Sequence, residues 1–98
     1  MITIIVHHWV KSEKLDVIKG RIQEAGKAMR SQPGFIKRQT LIPDSNPFQV
    51  TTVTSWATEE AFQTFAKERE KLPRPDPSES PWTREPEKTI FTVVPELP

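Results

Sequence analysis

The sequence predicts an α+β domain in which two helices cover one face of a four-stranded antiparallel sheet, in the order βαββαβ. Three observations carry that reading. Four stretches rich in β-branched and apolar residues occur, "ITIIVHHWV", "FIKRQTLI", "FQVTTVTSW" and "KTIFTVV". A helical pattern follows the first and another follows the third. The second and third are joined by "PDSNP" alone, too short for anything but a turn.

Taken in order, "ITIIVHHWV" is apolar without clean alternation, as expected of a strand buried on both faces. In "SEKLDVIKGRIQEAGKAMRS" the residues Leu15, Ile18, Ile22, Ala25 and Met29 step by three and four, one stripe of a helix. Ser12 is placed to cap it. "SQPG" stops it, because Gln32 precedes a proline and Gly34 tolerates a positive φ. Lys37 and Arg38 in the middle of "FIKRQTLI" suit an edge strand. After the third strand, Thr58 caps a second helix whose first turn carries Glu59 and Glu60. Phe62, Phe65, Ala66 and Leu72 are its expected buried face. Residues 73–87, "PRPDPSESPWTREPE", read as a proline-rich loop before the last strand, long enough to serve as a lid or binding segment.

The whole of residues 1–98 reads as a single domain. Cysteine is absent, which excludes disulfides, thiolate metal sites and cysteine nucleophiles. Fourteen basic residues face thirteen acidic ones, interleaved along the chain, so no nucleic-acid footprint is expected. No apolar run is long enough to span a bilayer, and "MITIIVHH" lacks the pattern of a secretory signal, so no membrane association and a cytoplasmic location are expected.

This topology is the ferredoxin-like split βαβ arrangement, with the first and third strands central. It creates a physical problem. The helices protect one sheet face, yet "ITIIV" is apolar on both. Each Ile or Val left in water forgoes roughly 1.5–3 kcal/mol of burial. A second copy stacked sheet to sheet would cover the open face, and a homodimer is expected.

The stretches "MITIIVHHWVKSEK", "SQPGF" and "TSWATEEAF", with the final strand, resemble the antibiotic biosynthesis monooxygenase family of dimeric α+β barrels. The resemblance implies a pocket between sheet and helices in each subunit, and a barrel where two sheets face each other. Some members of that family oxidise polyketide-derived aromatic molecules with molecular oxygen and no cofactor, and others degrade haem. The haem-degrading branch carries an asparagine on the first strand, a tryptophan on the second helix and a histidine soon after it. Here the first strand has no asparagine, Phe65 stands at the second-helix position, and no histidine follows Trp9. Haem degradation is therefore not expected.

The candidate catalytic residues are the two histidines of the chain, His7 and His8. Successive side chains of a strand point to opposite faces, so the pair cannot chelate one metal within a subunit, and no metal or cofactor is expected. His8, sharing a face with Ile4, Val6 and Val10, is the expected pocket residue, with His7 as the alternative. An imidazole there can act as a general base toward a phenol or an activated carbon. Equally, it can be a strand histidine hydrogen-bonded to a threonine or a backbone group. Trp56 reads as core against the helices, and Phe65 as core or pocket wall. Trp82 reads as a lid or plug from the proline-rich loop, and Arg38 as the partner of an anionic substrate or a solvated edge residue. Together Trp56, Phe65, Trp82 and Arg38 are the candidate ligand-pocket residues.

Two functions fit. One is a cofactor-independent monooxygenase taking a small aromatic or polyphenolic molecule and molecular oxygen. The alternative is a non-catalytic dimeric module that binds a small ligand or associates with itself.

Overall fold

The computed structural model describes residues 1–72 and 80–97. Its elements are β1 (Ile2–Val10), a 3-10 turn (Ser12–Lys14), α1 (Leu15–Arg30), β2 (Phe35–Leu41), β3 (Gln49–Trp56), α2 (Glu59–Glu70) and β4 (Trp82–Thr92). The strands form one antiparallel sheet in the order β2-β3-β1-β4. This is the expected ferredoxin-like βαββαβ architecture, with β1 and β3 central and β2 on an edge.

The register of β1 against β3 sorts the side chains. Ile2 lies opposite Trp56, Ile4 opposite Thr54, Val6 opposite Thr52 and His8 opposite Val50. The even-numbered residues of β1 face the helices. At one end Ile2 and Ile4 pack with Trp56 and Phe65. At the other, Val10 packs with Ile18 and Val50. Trp56 is fully buried, with the rings of Phe35, Phe62 and Phe65 at 5.6, 6.0 and 5.6 Å. Aromatic groups at such spacings gain edge-to-face attraction beyond the area they bury.

The odd-numbered residues of β1 face away from the helices. Ile5 stands there between Val53 and Thr89, and Thr3 between Ser55 and Phe91. Ile5 and Val53 are half-buried and Phe91 is exposed.

The junction that follows α1 depends on Gly34. Its φ is 86°, and a Cβ added there would stand 2.6 Å from the Cβ of Ala61. Its carbonyl accepts the N–H of Ala57 at 2.7 Å, tying the start of β2 to the entry of α2. Both requirements select glycine. At that entry Thr58 Oγ1 accepts the N–H of Ala61 at 3.1 Å, the expected N-cap.

Three local expectations are corrected. Ser12 does not cap α1: it opens the 3-10 turn, and its hydroxyl bonds Glu13 while α1 begins at Leu15 without a side-chain cap. Leu72 lies beyond the end of α2 and is 49% exposed, so it is not part of the buried face. The anticipated loop over residues 73–87 is shorter, because β4 already begins at Trp82. Pro81 and Pro86 suggested a loop, but β4 is an edge strand paired with β1 alone, where a missing N–H is tolerated. Residues 73–79 of that segment lie outside the described residues.

Candidate functional site

Strand alternation brings His8 to the helix side of the sheet. There its Nδ1 lies 3.0 Å from the backbone carbonyl oxygen of Val50. A carbonyl only accepts, so Nδ1 carries the proton and Nε2 keeps its lone pair. The bond thus selects the tautomer that a general base needs. Burial pushes the His8 pKa below the ordinary histidine value. The Val50 bond opposes this, whereas the charges of Arg38 and His7 add to it. The neutral ring is the favoured form.

The pairing of β1 with β4 shifts register between His7 and Trp9, and again between Trp9 and Val10. His7 pairs with Glu87 and Trp9 with Arg84, so His8 itself has no partner across this edge. Such bulges re-aim side chains and are common beside functional sites. Here they bring the Trp82 ring to 5.1 Å from the His8 ring, tilted by 33°. Trp82 also packs on the cluster of Val10, Ile18 and Val50. It closes one side of the histidine rather than standing free in a loop.

His7 points to the helix-free face, where Nδ1 hydrogen-bonds the Thr51 hydroxyl at 2.8 Å. Trp9 shares that face, with the Arg84 guanidinium 3.9 Å above its ring and Arg84 paired to Glu87 at 2.7 Å. The two adjacent histidines therefore serve different faces. Among the described residues, no three His, Cys, Asp or Glu side chains are grouped to hold a metal ion.

A groove of about 710 Å³ runs between α1 and β2. That volume lies within the range of small-molecule sites. Ile22, Phe35, Ile36, Ile42 and Val50 supply its apolar wall, and Lys19, Lys27, Arg30, Lys37 and Arg38 its cations. A register shift between Phe35 and Lys37 breaks the alternation of β2, and consecutive residues reach the groove. Arg38 is half-buried and lies along α1 where Gly26 has no side chain: a Cβ there would meet its atoms at 3.7–3.9 Å. Burial lowers the Arg38 pKa, as does the charge of Arg69, yet a guanidinium stays protonated at any physiological pH.

Of the candidate pocket residues, Arg38 lines this groove. His8 and Trp82 form a pair beside it, joined to it through Val50. Trp56 and Phe65 lie in the other core cluster and do not line the groove, while Phe35, which is edge-on to Trp56, does. The indole Nε1 of Trp56 is buried without a hydrogen-bond partner among the described residues. The cationic wall of α1 was missed in the sequence, although Lys19, Gln23 and Lys27 recur at the spacing of one helix face.

The family model for antibiotic biosynthesis monooxygenases matches residues 1–70. The chain belongs to the antibiotic biosynthesis monooxygenase family. The match spans β1 to the end of α2, leaving β4 outside it. No curated protein matches the chain.

Solved structures agree on the fold. An antibiotic biosynthesis monooxygenase is similar over 97% of this chain and 100% of its own, at 14% identity and a TM-score of 0.76. The haem degrader MhuD of Mycobacterium tuberculosis, with two haems bound in its active site, is similar over 96% of both chains, at 24% identity and a TM-score of 0.71. SnoaB of Streptomyces nogalater, a cofactor-independent oxygenase, is similar over 99% of this chain and 96% of its own, at 16% identity and a TM-score of 0.70. The family thus includes oxygenases and haem degraders on one fold, and the chemistry of each member rests on its own side chains.

Proposed function

We propose that this chain is a cofactor-independent monooxygenase acting on a small aromatic or polyphenolic substrate, with His8 as its general base. The observation that carries the reading is the bond from His8 Nδ1 to the Val50 carbonyl, which leaves Nε2 able to take a proton. The lowered pKa keeps the ring neutral when substrate arrives.

In this reading Nε2 removes a proton from a phenol or an activated ring CH2. The resulting carbanion reduces molecular oxygen, and the peroxide formed on carbon collapses to a carbonyl. A CH2 and O2 become C=O and H2O, with all four electrons supplied by the substrate, so no external reductant is needed. The protein orients the ring, takes up and returns the proton and excludes water. Trp82 forms an aromatic wall against His8, and Arg38 stabilises the charge developing on the substrate oxygen. Trp56 and Phe65 hold Phe35, and so the groove wall, from behind.

The working unit is a homodimer, with the face that carries Ile5, Val53 and Phe91 buried against a second copy. Haem is not its substrate: Phe65 is packed into the core where the haem-degrading relatives carry a tryptophan. The second reading, a non-catalytic dimeric binding module, is favoured by one observation. Both histidines already have hydrogen-bond partners within the sheet.

Oxygen uptake separates the two. The chelator-treated protein should consume one O2 per oxidised product across a panel of anthrones and dihydroxyarenes, without added metal or flavin. Uptake no faster than the buffer rate for every member would leave the binding module as the better reading.

A further inference from the structure

Among the described residues, the five cations of the groove are accompanied by no acidic lining residue, in a chain whose net charge is only +1. Helix polarity explains part of this. Lys27 and Arg30 occupy the last turn of α1, where the dipole favours positive charge. It does not explain Arg38, which faces them from β2, with Lys37 next to it along the groove lining. Like charges on two walls repel across an empty groove, and an anion lying between them removes the repulsion.

Arg38 sharpens the point. Its guanidinium is half-buried against α1, and its hydrogen-bond acceptor is the Met29 sulfur at 3.2 Å. A thioether is a weak acceptor and carries no charge to balance. Among the described residues, no carboxylate lies within ion-pair distance of it. A partly desolvated cation lying against Gly26 and Met29 gains more from a charged acceptor than an exposed lysine does.

We propose that the groove between α1 and β2 binds an anionic aromatic small molecule, its ring system on the apolar wall and its acid group on Arg38. The wall requires an apolar body, the cations require a negative charge, and the volume suits an organic acid larger than an inorganic ion. The proposal specifies the substrate class of the site assigned above and rests on that reading for turnover. The binding itself stands on the groove.

Two fluorescent probes of nearly one shape test it: anilinonaphthalene sulfonate, which is anionic, and phenylnaphthylamine, which is not. The sulfonate should bind once per chain and at least about tenfold tighter than the uncharged probe, the scale of one charge-assisted hydrogen bond. Arg38→Gln should bring the two affinities together, and Lys27→Gln with Lys37→Gln should narrow the gap several-fold. Arg84→Gln, on the opposite sheet face, should leave it unchanged. The rim substitutions are exposed and keep the test valid if Arg38→Gln fails to fold. Equal affinities for the two probes in the native protein, or a gap that survives both the Arg38 and the rim substitutions, would overturn the proposal. Selective sulfonate binding without oxygen uptake on any phenol would remove the oxygenase reading and leave this one standing. Oxygen uptake that is equally fast on neutral and acidic phenols, with unselective probe binding, would do the reverse.

Discussion

Val50 links His8 to the groove: its carbonyl accepts the His8 Nδ1–H at 3.0 Å while the same residue forms part of the groove wall. One backbone group thereby sets the tautomer of the candidate base, which does not itself line the groove but bonds to a residue that does. His7, one residue away, is held by Thr51 on the other face of the sheet.

The lowered pKa of His8 makes stability depend on pH. Its folded-state value lies below the ordinary one near 6.5, so the unfolded chain binds this proton more readily. The contribution is fully present above the unfolded pKa and is lost as pH falls from there toward the folded pKa. Urea midpoints should fall between neutral and mildly acid pH, and His8→Gln should flatten that slope. An unchanged slope in the variant would mean that His8 is not held neutral by its surroundings.

Ile5→Asp tests the helix-free face. In a monomer the half-buried Asp would still reach water, so the chain should stay folded, whereas in a stacked dimer it would bury an unpaired charge. Light scattering should give the mass of two chains for the native protein and of one for the variant. A single-chain mass for the native protein would refute the dimer. Ile4→Asp, inside the core, should prevent folding in either case.

Gly34→Ala should destabilise by about 1–3 kcal/mol, from the unfavourable positive φ together with the close approach to Ala61. Adding Ala61→Gly should recover part of this by removing the contact while leaving the backbone strain. Thermal or urea melts of the single and double variants measure both contributions. A double variant that loses as much as the Gly34→Ala and Ala61→Gly losses added together would show that the contact has no role.

Haem titration should give no stoichiometric Soret shift and no turnover with a reductant. Phe65 is buried in the core, its ring 5.6 Å from that of Trp56. A tight complex with one or two haems that is degraded on reduction would place the chain among the haem degraders.

The sequence made the fold legible wherever local pattern and tertiary context agree. The Leu15, Ile18, Ile22 and Met29 stripe is the buried side of α1, and the span of β1 matches its apolar run. It misled at Pro81 to Glu87, where two prolines and alternating charges look like a loop, because edge pairing with β1 is a long-range fact that no local pattern carries. Period-two alternation was enough to separate His7 from His8. The cationic groove was not legible, because its lysines and arginines are diluted by Asp16, Glu24 and Asp44 along the chain. They converge only when one face of α1 meets β2.

The most direct test of His8 as the base is the oxygen-uptake rate of His8→Ala beside the native protein on one oxidisable phenol or anthrone, followed from acid to neutral pH. The native rate should rise through a pKa below the ordinary histidine value. The variant should lose about 10²–10⁴-fold, with that rise abolished and its dimer mass unchanged. A variant that keeps the native rate and pH profile would contradict the assignment, and His8 would then be a strand histidine satisfied by Val50.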